Sequence, residues 1–295
     1  MLSNEFIGVF LVLISSLWYG LFNALSSREN ETGWKYQLIA IQYSVNLLIW
    51  IGLLTLFWIG HIGDFHFQEI WVLLIGWIAG YTGIYSLFSG IQNAWPTLTM
   101  LIGNSYIIIL FFWNIVFYGG NEMLSITKII LGSIFIIGIG YLVWDTRSEK
   151  KISTKKLFFP IATGISWMIY SWTSTYIIKQ SILSPLTTLV ALEGIITFIA
   201  LIIFFYKNTS KISTKTLREN ITWMKIFLWI LLALAGMTWF FAYKFLPANI
   251  VNILLMSQNI TTIACMAIIL KRQYPLKEWI IIGIMTGILM GFIFF

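Results

Sequence analysis

Apolar residues run along this chain in ten long blocks separated by short polar stretches: 6–25, 36–59, 69–92, 96–118, 125–144, 158–178, 185–206, 226–246, 248–270 and 276–295. Each is long enough for a helix of about 20 residues, the length that crosses the hydrocarbon core of a bilayer. The pattern predicts an all-α integral membrane protein with ten transmembrane helices, called segments 1 to 10 below. Little chain is left over for a soluble domain. Segment 1 follows Glu5, has no basic stretch before it and no small-residue cleavage site after it. It reads as a retained helix, not a signal peptide.

Composition agrees. Mean hydropathy is +0.88. Charged residues make up 10% of the chain and aromatic residues 17%, against roughly 25% charged residues in a soluble domain. Cys265 is the single cysteine, so an intrachain disulfide and a thiolate metal cluster are ruled out. His61, Asp64 and His66 share one loop, which reads as a wet polar turn. No metal and no cofactor are expected. There is no nucleotide-binding loop, so ATP-driven transport would require another subunit.

The net charge of +7 says less than its placement. Arg28 and Lys35 flank the loop after segment 1. Arg147, Lys150, Lys151, Lys155 and Lys156 follow segment 5, and Lys207, Lys211, Lys215, Arg218 and Lys225 follow segment 7. Lys271, Arg272 and Lys277 follow segment 9. With ten helices these loops share one side, and the other side has only Lys128, Lys179 and Lys244. The positive-inside rule puts the loops after segments 1, 5, 7 and 9 in the cytoplasm and both termini outside. Topology explains the basic residues, with anionic lipid heads as their partners. No nucleic acid is called for.

A shift of 151 residues pairs Pro96 with Pro247, Gly132 with Gly283 and Gly140 with Gly291, and sets Glu122 on Gln273. Trp18 and Trp167, in segments 1 and 6, are 149 apart. Residues 1–150 and 151–295 thus read as two copies of one five-helix design. An odd number of helices per copy makes the second inverted. Inverted repeats are a recurrent build of secondary transporters, with the substrate near the midplane where the copies meet. Pro96, Pro160, Pro185, Pro247 and Pro275 all sit at segment starts, where the first-turn N–H has no helical partner. The segments are therefore expected to run unbroken by proline, with glycine as the residue left to unwind one.

Segments 5 and 10 are nearly free of polar side chains. Segment 10 carries Gly283, Gly287 and Gly291 on one face, a stripe that lets another backbone approach closely. It could pack segment 5 or a second protomer, so the chain is a monomer or a glycine-packed homodimer. Polar groups gather in segments 1, 3, 4, 6 and 9. Tyr19, Tyr81, Tyr85, Asn104, Tyr170, Asn252 and Asn259 are among them, the last two seven apart with Gln258 alongside. Amides at that depth are costly against lipid, so they point inward, to bond neighbouring helices or to line a wet cavity. Trp18, Trp167, Trp172 and Trp239 lie well inside their segments; they pack, stack on a planar substrate, or hold a cation over a ring face. Trp34, Trp71, Trp144, Trp223 and Trp279 sit where interface belts form.

Glu193, in VALEGIITF, is the one acidic residue near the middle of a segment, and no lysine or arginine lies equally deep. An intramembrane carboxylate is a functional hypothesis by default. It could pair with a cationic substrate, take up and release a proton during transport, or stay protonated and bond a neighbour such as Gln42 or Asn259.

With these residues in view, the chain resembles the drug/metabolite transporter superfamily, in particular its ten-helix EamA-type members. The resemblance spans nearly the whole chain. Copy one shows SSLWYG and the run from NAWPTLT to GGNEMLSITKIILG; copy two shows GISWMIY, FLPANIVNILL and LKRQYPLKEWIIIG. It implies a central cavity lined by segments 1, 3, 4, 6, 8 and 9. Two features depart from the family's pattern. Arg272 and Gln273 stand where a glutamate is common, and the family's termini are usually cytoplasmic.

The expectation is a multi-pass transporter of a bacterial or archaeal cell membrane, not an enzyme. It would move small organic metabolites, amino acids or related compounds foremost, by alternating access. Trp18, Tyr19, Tyr81, Tyr85, Asn104, Trp167, Tyr170, Glu193, Trp239, Asn252 and Asn259 are the candidate substrate residues, with Glu193 also the candidate for proton coupling. A choline-like cation transporter and a proton-coupled drug exporter are the rival readings. A channel or a membrane scaffold is the reading from another class.

Overall fold

The computed structural model describes residues 4–29, 35–57, 67–93, 98–99, 102–103, 105–106, 126–150, 153–180, 185–208, 223–246, 248–255, 257–269 and 271, with short pieces of 276–291. Among these residues the chain is helical, with no strand. The helices are α1 (Asn4–Glu29), α2 (Lys35–Phe57), α3 (Phe67–Asn93), α4 (Ile126–Lys150), α5 (Phe158–Gln180), α6 (Pro185–Asn208), α7 (Trp223–Phe245), α8 (Ala248–Leu255) and α9 (Gln258–Ile269). A 3-10 turn, Thr154–Leu157, leads into α5. α1 and α4 run past their apolar blocks because Glu, Lys and Arg are good helix formers and carry the helix on into water.

Among the described residues, four stretches are long and apolar enough to cross a membrane: Asn4–Leu25, Ile70–Asn93, Thr187–Lys207 and Ile226–Phe245, in α1, α3, α6 and α7. Ile39–Gly52 in α2 and Ile260–Ile269 in α9 are shorter apolar runs. α5 has 23 residues and is not in the first group, because Thr163, Ser166, Ser171, Thr173, Ser174 and Thr175 dilute its apolar content. Large apolar side chains stand exposed on the outer faces, such as Ile130, Ile134 and Ile137 of α4 and Phe198 and Ile202 of α6. So extensive an apolar surface belongs against a partner of equal apolarity, and the long apolar helices make this a membrane protein. Trp71, Trp144 and Trp223, assigned above to the interface belt, are all exposed.

The closest helix pairs are α3 with α5 and α1 with α7. α2 packs on α6, α1 also meets α8 and α9, and smaller contacts join α3 to α6 and α2 to α7. Glycines set the α3–α5 spacing. A Cβ at Gly76 would come within 2.7 Å of Thr173 Oγ1, one at Gly83 within 3.3 Å of Ser166 Cβ, and one at Gly80 would strike Ile196 and Tyr170. The hydroxyls of α5 facing this seam are satisfied. Thr82 and Ser166 hydroxyls lie 3.0 Å apart, and Thr173 Oγ1 and Ser174 Oγ donate to Tyr170 O at 2.8 and 2.7 Å, the back-bonding that hydroxyl side chains use inside helices. Between α1 and α7, Ser15 Oγ donates to Ala235 O at 2.8 Å. Two indoles tie other pairs: Trp50 Nε1 donates to Ala233 O at 3.4 Å and Trp77 Nε1 to Ala191 O at 3.1 Å.

One expectation needs correction. The block 248–270 reads as a single helix, but α8 ends at Leu255 and α9 begins at Gln258. Ser257 makes the break: its N–H and its Oγ donate to Leu254 O at 3.0 and 2.7 Å. α1 covers the freed carbonyls, with Ser16 Oγ at 3.3 Å from Leu254 O and 3.4 Å from Leu255 O. Thr261 Oγ1 donates back to Ser16 O at 2.8 Å. The described part of segment 4 has the same turn: Ser105 N–H and Oγ donate to Ile102 O at 3.2 and 2.7 Å. A serine that bonds the third carbonyl behind it competes with the helix. Hydropathy reads the side chain's polarity, not this local bond. Most of segments 4 and 10, and the loop with His61, Asp64 and His66, lie outside the described residues. Of the segment 10 glycines, Gly291 faces Leu131 of α4, while a Cβ at Gly283 or Gly287 would meet no described atom within 4 Å.

Candidate functional site

α1, α3, α5 and α7 cross around two adjoining cavities. The first is lined by Tyr19, Phe22 and Asn23 of α1, Ile84 and Leu87 of α3, Thr163 and Trp167 of α5, and Leu232 and Trp239 of α7. It is closed by Thr99, Gly103 and Tyr106 of segment 4 and by Leu255 and Gln258, which flank the break between α8 and α9. The second lies against α2 and α6. It adds Tyr43, Asn46 and Trp50 of α2, Leu189 and Glu193 of α6, Gly80 of α3, Tyr170 of α5, and Gly236 and Phe240 of α7. Tyr19, Ile84, Trp167, Leu232 and Trp239 form the wall between them. Each cavity has room for only a few water molecules, so a larger solute has to part the aromatic side chains.

Those side chains meet at Trp239. Its ring lies 6.5 Å from Tyr19 edge-on, 6.2 Å from Tyr170, 5.2 Å from Phe240 and 5.7 Å from Tyr243. Trp167 stands edge-on to Tyr170 at 6.0 Å. Such contacts are worth about 0.5–1.5 kcal/mol each beyond burial, enough to hold the rings in place and too little to lock them.

Glu193 is 7% exposed. Its Oε1 accepts a 2.6 Å hydrogen bond from Tyr170 OH. Its Oε2 has no hydrogen-bond partner among the described residues. The backbone at Glu193 is tied to α2 through Thr197, whose Oγ1 donates to Glu193 O at 2.8 Å and lies 3.1 Å from Tyr43 O. Asn46 is 0% exposed, and neither its Nδ2 nor its Oδ1 has a partner among the described residues. The amide of Gln42, one helical turn away, is in the same condition but lines neither cavity. Buried amides are almost always bonded, and a pair of groups left open on one cavity is the mark of a ligand or ordered water.

Of the candidates chosen from sequence, Tyr19, Trp167, Tyr170, Glu193 and Trp239 come together here. Trp18 packs half-buried against the core outside both cavities. Tyr81 and Tyr85 stack on each other at 6.4 Å and line neither. Asn252 is buried and lines neither cavity; its Oδ1 accepts from Tyr243 OH at 2.9 Å, and its Nδ2 has no partner among the described residues. Asn104 lies outside the described residues. Asn259 is in α9, with its side chain outside the description. Tyr43, Asn46 and Trp50 were not foreseen. Their spacing of three and four places them on one face of α2, which is the signal that was there to be read.

No protein-family model matches the chain, and no curated protein matches it. Among solved structures, one described as "Crystal structure of protein" has a TM-score of 0.69 at 15% identity, over 98% of this chain and 96% of that one. That likeness shows a shared fold across nearly the full length.

Proposed function

We propose that the chain is a secondary transporter of the drug/metabolite superfamily, of the ten-helix EamA type. It moves small organic metabolites, amino acids and related amines among them, by alternating access. The observation that carries the reading is the pair of aromatic cavities at the crossing of α1, α3, α5 and α7, with a helix break beside them. Interrupted helices at a midplane cavity are where transporters place their substrate.

The arrangement of contacts supports two inverted five-helix repeats. α1 on α7 is segment 1 on segment 8, and α5 on α3 is segment 6 on segment 3. Exchanging the halves turns the first pair into the second. The same exchange turns the contact of α3 with α6 into that of α7 with α2, and leaves α2 on α6 unchanged. Ser105 with Ile102 and Ser257 with Leu254 are also exchanged, at a shift of 152 residues. The first cavity draws on segments 1, 3, 4, 6, 8 and 9, the set that the resemblance implies. Glu193 remains the residue for proton coupling. The loops after segments 1, 5, 7 and 9 face the cytoplasm of a bacterial or archaeal cell.

The test is flux. The purified protein in proteoliposomes should exchange a radiolabelled amino acid or amine against an inward or outward gradient. No flux of any amino acid, amine or other small metabolite, in a preparation that keeps its fold, would defeat the proposal.

A further inference from the structure

The second cavity has a chemistry that selects among amines. Seven aromatic side chains wall it: Tyr19, Tyr43, Trp50, Trp167, Tyr170, Trp239 and Phe240. Three side chains on it have open polar atoms among the described residues: Glu193 Oε2, the Asn46 amide and Trp239 Nε1, of which Glu193 Oε2 and Asn46 Oδ1 are acceptors. No lysine or arginine lines either cavity among the described residues, and no predicted segment carries one near its middle.

We infer that this cavity binds the ammonium head of a monocationic amine that bears N–H bonds, in preference to a zwitterionic amino acid and to a quaternary ammonium. The inference rests on the transporter reading and narrows its substrate class. Three considerations lead to it. A carboxyl group withdrawn from water stays ionised only where it meets a countercharge, and the protein offers none here, so the ionised form of Glu193 draws it from the ligand. A zwitterion would bring a second carboxylate into the same aromatic space with no cation to meet it. A quaternary ammonium satisfies the ring faces but has no N–H for Glu193 Oε2 or Asn46 Oδ1. A group left unsatisfied in this way lowers affinity by roughly tenfold to a hundredfold. A bare metal cation fits worse still, because hard cations take six or more oxygen ligands and this wall is mostly carbon. The ammonium N–H bonds point to Glu193 Oε2 and Asn46 Oδ1, while the amine's apolar part lies against Trp167 and Trp239.

The experiment is calorimetric titration of the full chain in detergent with 2-phenylethylamine, phenylalanine and phenylethyltrimethylammonium, which share a ring and differ in the head group. n-Butylamine serves as a smaller amine. The primary amines should bind at least about tenfold more tightly than the other two. Glu193→Gln should abolish that preference. Asn46→Leu should weaken amine binding while raising the melting temperature, and Gln42→Leu should raise it with binding unchanged. The inference is overturned if phenylalanine or the quaternary compound binds as tightly as the amine, if neither amine binds, or if Glu193→Gln binds amines as before. Amine binding without flux in proteoliposomes would uphold the site and defeat the transporter reading. Flux of another solute with no amine binding would do the reverse.

Discussion

The two cavities share a wall and differ in what they do with their polar groups. In the first, Thr99 Oγ1 and the shared Trp239 Nε1 are open among the described residues, and other polar groups bond within the protein. Thr163 Oγ1 donates to Phe159 O at 2.8 Å, Ser171 Oγ to Tyr106 OH at 3.3 Å, and Asn23 Nδ2 approaches Thr262 Oγ1 at 3.5 Å. In the second, a carboxylate oxygen and a whole amide are left open among the described residues. Native interiors satisfy such groups, and the exceptions ask for an explanation. The contrast sets the proposed amine site in the second cavity, where the open groups include a carboxyl oxygen. Stability and binding should then respond in opposite ways in the two places.

The largest effect is expected from Tyr170→Phe, which removes the 2.6 Å bond to Glu193. A hydrogen bond is worth about 0.5–3 kcal/mol, the upper end holding for an ionised carboxyl, so thermal unfolding should move down by that equivalent and amine binding should weaken. An unchanged melting temperature would show that Glu193 is held by something else. Next comes Asn46→Leu, which replaces two open polar atoms with carbon. A gain of about 1–2 kcal/mol is expected in denaturant or thermal unfolding, together with the loss of amine affinity described above. Destabilisation instead would mean that the amide is a structural group and that the two cavities do not differ. The smallest effect belongs to the first cavity. Asn23→Leu breaks only a long contact and should change stability by less than about 1 kcal/mol, with the preference among head groups intact. A head-group preference that followed Asn23 would place recognition on the wrong side of the shared wall.

The long helices were legible because lipid leaves the backbone few choices. Glu193 was legible for the same reason: a lone charge in an apolar run has to be explained. The spacing of Tyr43, Asn46 and Trp50 put them on one face of α2, but Gln37, Gln42 and Ser44 spread polar groups around the same helix, so that face did not stand out. Knowing which side of it meets α6 takes the tertiary structure. Tyr81, Tyr85 and Asn252 were chosen on residue type, and they show the limit of that criterion. A tyrosine or an amide inside a segment satisfies itself on a neighbour as readily as it opens on a cavity. The break at Ser257 was hidden because a serine costs little in hydropathy, and the similar turn at Ser105 lies 152 residues away, one off the 151-residue register in which Ser105 falls on Met256. A repeat search restricted to glycine and proline passes over it.

α5 raises a question about how the chain is made. A nascent helix partitions into lipid from the translocation channel according to its apolar content, and α5 falls short of the hydropathy of α1, α3, α6 and α7. Of its hydroxyls, Ser166 meets Thr82 of α3 and Thr173 packs against Gly76, while Thr163, Thr173 and Ser174 bond carbonyls of α5 itself. α3 is synthesised some 90 residues earlier by the numbering, Phe67 against Phe158, so the groove that hides those hydroxyls already exists when α5 emerges. The order of the helices along the chain therefore has the least apolar of these helices follow the one whose glycines pack against it.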